Sequence, residues 1–198
     1  MNTAFSAALL MGGHSRRMGV DKASLTDPES GLASWERQLN LLESLDPKDR
    51  LLSLREGQSK PGELANWRTV TDVVNDAGPI SGLAACLDAA QESLVLVLGV
   101  DLLKMESLTL ERLLETACPG IGAIYQNPHG YYEPLAAVYP KSAARSAQTF
   151  LENGGRKLQD WISEGVRSGW MQSLPLTGID EAAFLNVNTE ADYAKLAQ

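Results

Sequence analysis

Eleven residues near the amino terminus, Gly12-Gly13-His14-Ser15-Arg16-Arg17-Met18-Gly19-Val20-Asp21-Lys22, gather three glycines and three cations. Glycine lets the backbone approach an anion closely and present its N–H groups, while Arg16, Arg17 and Lys22 supply positive charge. In a chain of 198 residues with a formal net charge of −8, this concentration points to a phosphate cradle. A strand-to-helix turn with solvated basic residues is the competing reading. The segment fits neither the Walker pattern nor GxGxxG.

Asp101 is the second chemically loaded position, because it closes the most apolar run of the chain, Leu94-Val95-Leu96-Val97-Leu98-Gly99-Val100. A carboxylate there is costly to bury unless it is paired or bound to a metal. A hard oxygen ligand facing a triphosphate suits Mg²⁺, which takes one or two carboxylates plus phosphate oxygens. The alternative is a turn or N-cap aspartate ahead of a helix that starts near Leu108.

Both positions need strands behind them, and the chain supplies an alternation of elements. Residues 5–11 form a short apolar run that stops at the glycine pair, as a buried strand feeding a loop does. Trp35, Leu39, Leu42 and Leu45 lie at spacings of four and three, which predicts one helical face over 34–45. Residues 51–54 and 67–73 read as strands separated by a polar surface loop. Pro79 offers an N1 residue to a helix through Ile80, Leu83, Ala84 and Leu87. After the strand at 94–100 come a helix over 108–118, strands over 121–126 and 135–139, helices over 143–151 and 158–162, and a last helix from about Asn188 to Leu196. Strands alternating with helices predict a three-layer α/β/α fold with a mostly parallel, Rossmann-like sheet covered on both faces. Ligands of such sheets bind beyond the carboxyl ends of the strands. No repeat or low-complexity stretch interrupts the pattern, and one domain over residues 1–198 is expected.

Composition excludes several classes. Hydrophobic residues make up 44% and charged residues 21% of the chain, which argues for a folded globular protein rather than a disordered one. Scattered Lys and Arg on an acidic chain argue against a nucleic-acid partner. No run approaches the roughly 20 apolar residues that cross a bilayer, and the first residues lack the pattern of a secretory signal. A cytoplasmic protein without membrane contact is expected. Cys86 and Cys118 fall in or at the ends of predicted helices and read as core or near-core thiols in a reducing compartment. His14 and His129 read as incidental surface residues.

The loop from Leu10 through Lys22 resembles the signature of the molybdenum cofactor guanylyltransferases, approximately L-A-G-G-x-S-x-R-M-G-x-D-K, with Met11 in place of the usual alanine. Further segments are similar in family order. Asp72 followed by Gly78-Pro79-Ile80-Ser81-Gly82-Leu83 resembles D…G-P-L-x-G-[LI], and Val97-Leu98-Gly99-Val100-Asp101 resembles the strand that delivers the family's metal-binding aspartate. Glu133-Pro134-Leu135-Ala136-Ala137-Val138-Tyr139 is similar to P-L-x-A-x-Y, and Phe184-Leu185-Asn186-Val187-Asn188-Thr189 to F-x-N-[IV]-N-T. These matches span almost the whole chain.

The resemblance implies a nucleotide-diphospho-sugar-transferase type of fold and a Mg²⁺-dependent transfer of GMP from GTP to molybdopterin or molybdenum cofactor, releasing pyrophosphate. It also implies transient contact with cofactor-delivery proteins. Carried over by position, Leu10, Met11, Gly12 and Gly13 line the base and ribose, and Arg17 and Lys22 hold phosphates as catalytic cations. Asp72 contacts the nucleotide, and Asp101 binds the metal and serves catalysis and the nucleotide together. Gly78, Gly82, Asn186 and Asn188 fall on the acceptor side. Ser53 stands where the family often has an asparagine after its second strand. The chain also departs from the family in lacking the G-K-P-L turn after Asp21-Lys22 and in reading Leu102-Leu103-Lys104 after Asp101. Two alternatives use the same scaffold: a transferase acting with CTP or a sugar phosphate, and a non-catalytic nucleotide-binding relative. The Gly12-Gly13 pair favours guanylyl over cytidylyl transfer, and Lys22 together with Asp101 favours catalysis.

Overall fold

A computed structural model of the chain describes residues 3–11, 26–27, 30–62, 64–74 and 77–184. Seven strands, β1 (Ser6–Leu10), β2 (Asp49–Leu54), β3 (Arg68–Thr71), β4 (Leu94–Gly99), β5 (Gly122–Gln126), β6 (Tyr132–Pro140) and β7 (Met171–Pro175), form one sheet in the order β3-β2-β1-β4-β6-β5-β7. The helices are α1 (Ser34–Ser44), α2 (Pro79–Ala89), α3 (Ser107–Thr116), α4 (Ala144–Glu152), α5 (Leu158–Arg167) and the short α6 (Gly178–Glu181). Strands β1 to β4 pair in parallel, as do β5 and β7, whereas β6 runs antiparallel to both β4 and β5.

Strand alternation sorts the core into two slabs. Ala7, Leu9, Leu52, Leu54, Leu96 and Leu98 point to one face, where Leu39 and Leu42 of α1 and Leu110 and Leu113 of α3 cover them. Ala8, Leu10, Leu51, Val95 and Val97 point to the other, beneath Ile80, Leu83 and Leu87 of α2 and residues of α4 and α5. Strands covered on both sides need apolar residues at successive positions, which is why β1 and β4 read as continuous hydrophobic runs and are buried throughout. The three-layer expectation holds.

Several boundaries differ from the sequence reading. The strand expected over 67–73 contracts to Arg68–Thr71, and Trp67 is buried ahead of it, with its Nε1 donating to Glu43 Oε1 at 2.9 Å. β7 was hidden because it is an edge strand with the exposed pair Gln172 and Ser173 at its centre. Cys86 is fully buried, and burial chiefly pushes its thiol up to about 12. Cys118, by contrast, is exposed: α3 stops at Thr116, and Cys118 lies in a tight turn closed by the Ile121 N–H donating to its carbonyl at 2.8 Å. His129 is exposed in the 127–130 turn, while His14 and the helix expected near Asn188 lie outside the described residues.

Candidate functional site

The carboxyl ends of β1, β2, β3 and β4 lie side by side, and their register places the expected site residues. Leu10 is level with Ser53 on one side and Gly99 on the other. The Met11 N–H donates to the Ser53 carbonyl at 3.1 Å and the Val100 N–H to the Leu10 carbonyl at 3.3 Å, so pairing persists one residue past the strands. Asp72 follows β3, its N–H donating to the Leu54 carbonyl at 3.2 Å. Leu10, Met11, Ser53, Asp72 and Asp101 are thus drawn to one edge of the sheet. Gly12, Gly13, Arg17, Lys22, Asn186 and Asn188 lie outside the described residues.

Ser53 and Asp72 form a unit. The Ser53 hydroxyl donates to Asp72 Oδ1 at 3.2 Å across the parallel pair β2 and β3. Ser53 is buried at 1% exposure, a position where a hydroxyl needs a partner. Burial pushes the Asp72 carboxyl above the ordinary carboxylate value, against the lowering effects of the Ser53 hydroxyl and the Arg55 charge. Gly82 lies beneath this pair, buried in α2, and a Cβ there would overlap the Ser53 hydroxyl and sit 3.0 Å from Asp72 Oδ1. Gly78, at the N-cap of α2 with φ 77°, is exposed instead. A second bolt holds the intervening loop: the buried Ser81 hydroxyl accepts from the Val74 N–H at 2.7 Å.

Asp101 stands in the turn after β4, two residues beyond its last strand position. The N-cap of α3 is Glu106, which removes the capping explanation for Asp101 and leaves a turn residue at the site edge. Its carboxylate lies over Gly99, where a Cβ would come within 3.0 Å of both Asp101 Oδ1 and Leu135 Cβ. Asp72 follows β3 and Asp101 follows β4, so the two carboxylates stand at opposite ends of the run β3-β2-β1-β4 and flank the site. Among the described residues no group of three His, Cys, Asp or Glu side chains could hold a metal. A partly buried carboxylate on a glycine platform nonetheless fits Mg²⁺, which accepts one protein carboxylate when phosphate oxygens and water complete its shell.

The strand expected over 135–139 begins earlier, at Tyr132, and runs against its neighbours. Because β6 is antiparallel to β4, with Leu98 opposite Ala136, its amino-terminal half reaches the same edge. Glu133 there is half-buried, burial raises its carboxyl above the ordinary value, and Asn127 Nδ2 donates to it at 3.1 Å. Gln159 of α5 fixes this end of β6 by accepting from the Tyr132 N–H at 2.9 Å and donating to its carbonyl at 2.6 Å. The signal available in the sequence was the Glu133-Pro134-Leu135 segment, whose antiparallel direction could not be read from composition.

Known proteins share this fold. A family model described as "MobA-like NTP transferase domain" matches residues 7–168. A protein of Opitutus terrae named "Probable molybdenum cofactor guanylyltransferase" is 32% identical over 193 residues, covering 96% of this chain and 93% of that one. The crystal structure of molybdopterin-guanine dinucleotide biosynthesis protein A from Archaeoglobus fulgidus is similar with a TM-score of 0.72 at 21% identity, covering 97% of this chain and 96% of that one. That of 2-C-methyl-D-erythritol 4-phosphate cytidylyltransferase from Thermus thermophilus has a TM-score of 0.70 at 15% identity, covering 96% of each chain. The two structural likenesses establish the fold, and the family match goes further: this chain belongs to the MobA-like NTP transferase family and is a nucleotidyltransferase.

Proposed function

We propose that the chain transfers GMP from GTP to molybdopterin or its molybdenum form, yielding the guanine dinucleotide cofactor and pyrophosphate. The observation that carries this reading is the convergence of Leu10, Ser53, Asp72 and Asp101 at one sheet edge, directly where the glycine-rich segment leaves β1. The guanylyltransferase name of the Opitutus terrae relative supports the choice of base and acceptor.

In the reaction, a terminal phosphate oxygen of the acceptor bonds to the α-phosphorus of GTP while the bond to the bridging oxygen of pyrophosphate breaks. Attack of one anion on another is limited by charge repulsion and alignment, so cations and positioning contribute more than a protein acid or base. Lys22 and Arg17 hold the phosphates. Asp101 holds Mg²⁺, which when bound supplies neutralisation of phosphate charge. Asp72, kept in place by Ser53, accepts hydrogen bonds from the nucleoside, and Leu10 to Gly13 present backbone groups to the base. Gly78, Asn186 and Asn188 are assigned to binding the acceptor, with Gly82 acting from below by letting α2 close on Ser53 and Asp72.

The test is a thermal-shift panel of GTP, CTP, ATP and UTP with and without Mg²⁺, followed by kcat/KM for GTP and CTP with molybdopterin. A ligand that binds only the folded state raises its stability by mass action. GTP with Mg²⁺ should give the largest shift and the higher kcat/KM. A CTP preference moves the chain to the cytidylyl reading, and absence of any triphosphate shift overturns nucleotide transfer at this edge.

A further inference from the structure

Two segments, one around Asp27 and one that follows Asp101, meet neighbouring residues of α1. Arg37 Nη2 donates to the Met105 carbonyl at 3.1 Å, and its Nε lies 3.5 Å from Asp27 Oδ2. The adjacent Gln38, fully buried, donates Nε2 to the Leu102 carbonyl at 2.5 Å. The Met105 N–H turns back to the Leu102 carbonyl at 3.0 Å, and the Met105 side chain is fully buried. The stretch that follows Asp101 is therefore fastened to α1 at both of its ends.

Asp27 organises the other segment. At 5% exposure, its Oδ2 accepts from the Ser30 N–H at 3.2 Å and the Ser30 hydroxyl at 2.5 Å. Its own N–H donates to the Leu32 carbonyl at 2.7 Å and its carbonyl accepts from the Gly31 N–H at 2.8 Å, closing a hairpin that the Thr26–Ala33 bridge completes. Lys22 stands five residues ahead of Asp27 in the chain. Only Arg37 touches both segments among the contacts around α1 described above. A guanidinium can serve a carboxylate and a carbonyl together through separate N–H groups, whereas the single ammonium of lysine is a point charge on a flexible stem. The contact is also shielded, with the Arg37 side chain 24% and that of Asp27 6% exposed, so water and salt weaken it less than a surface pair.

We propose that Arg37 is a positioning residue that ties the Asp27 hairpin to the 102–105 segment, so that the setting of the Asp101 carboxylate depends on the anchorage of that hairpin. The inference rests on the reading of Asp101 as a metal ligand. It accounts for a departure from the family pattern: the chain lacks the usual residues both after Asp21-Lys22 and after Asp101, and these are the two places that Arg37 joins. Groups that orient a ligand from outside its coordination shell commonly change metal affinity by about 10–100-fold when removed.

The experiment is Mn²⁺ titration by water-proton relaxation, with a GTP analogue carrying an α,β-methylene bridge, on the full chain and on Arg37→Met, Arg37→Lys, Asp27→Asn and the double variant Asp27→Asn/Arg37→Met. Circular dichroism melts run in parallel, and Arg37→Lys keeps the test readable where Arg37→Met does not fold. Mn²⁺ affinity should fall about tenfold in Arg37→Met and by less in Arg37→Lys. The double variant should be no weaker than Arg37→Met, because both changes break one connection. Affinities of both Arg37 variants within about twofold of the parent, at whatever melting temperature, would overturn the proposal and leave Arg37 a packing residue. Failure of the parent chain to bind Mn²⁺ with the nucleotide would instead overturn the Asp101 reading beneath it.

Discussion

Gly82 faces Ser53 so closely that a methyl group at position 82 would occupy the space of the Ser53 hydroxyl. Helix α2 can approach β2 at this point only because residue 82 has no side chain, and that approach fixes the hydroxyl that Asp72 receives at 3.2 Å. A backbone-packing fact and a binding-site fact are thus the same contact.

Gly82→Ala is expected to cost about 1–3 kcal/mol, as overpacking of a filled interior does. Ser53→Ala/Gly82→Ala should recover part of that loss, since the next Ser53 atom, Cβ, would be an ordinary 3.4 Å away. Urea unfolding of the three variants measures the coupling. Simple additivity of the two single changes would show that the collision is relieved elsewhere.

At the opposite edge of the sheet, Asp49 accepts from Ser6 Oγ at 2.8 Å, Arg68 Nη2 at 2.7 Å and the Gln91 N–H at 2.9 Å. Burial alone would raise its carboxyl, but these bonds and the Arg68 charge together hold it below the ordinary carboxylate value. A depressed folded-state value means that stability from Asp49 is fully present above the unfolded-state value and is lost as pH falls through the folded-state one. Asp49→Asn should therefore flatten this acid limb and cost about 1–3 kcal/mol near neutral pH, the range for disturbed buried hydrogen bonds, because Arg68 is 44% exposed and contributes less than a buried partner. Unfolding free energy against pH for the two proteins checks both parts.

How much of this was legible beforehand depended on the range of the forces involved. The runs at 5–11 and 94–100 declared buried parallel strands because both faces of the sheet demand apolar residues, and they delivered Leu10 and Asp101 to the same edge. Ser53 and Asp72 could be named from the resemblance, but not their bond, since it depends on the register between β2 and β3. Gly82 was assigned to the acceptor side, and its place beneath Ser53 emerged only from helix-to-strand packing. β6 concealed its reversal because an antiparallel strand buried on both faces carries the same residue types as a parallel one. Arg37 carried no signal in the sequence, because nothing local marks a contact spanning 68 residues.

Asp101→Asn should retain the circular dichroism spectrum and lose most Mg²⁺-dependent turnover, because the amide keeps the shape and removes the charge. Gly99→Ala is the subtler probe, since its methyl would press on Asp101 Oδ1 and Leu135 Cβ at 3.0 Å. It should raise the Mg²⁺ concentration for half-maximal rate while leaving the saturated rate closer to the parent. Parent-like Mg²⁺ dependence in both variants would reduce Asp101 to a turn residue.

The Ser53 and Asp72 pair provides a test that fold integrity alone cannot imitate. Asp72 sits above the ordinary carboxylate value because burial outweighs the Ser53 hydroxyl and Arg55. For stability the sign is opposite to that of Asp49: a raised folded-state value makes Asp72 cost stability as pH climbs from its unfolded-state value through its folded-state one. For binding, only the ionised carboxylate accepts from both a ribose hydroxyl and a base N–H, so nucleotide capture should weaken on the acid side of that raised value. Ser53→Ala removes the bond that favours the ionised form and should move the acid limb of kcat/KM for GTP to higher pH, with the plateau at alkaline pH nearly unchanged. Asp72→Asn should abolish that limb and lower the plateau. A Ser53→Ala profile superimposable on the parent, beside a fully active Asp72→Asn, would remove Asp72 from the nucleotide site and leave its contact with Ser53 a matter of packing.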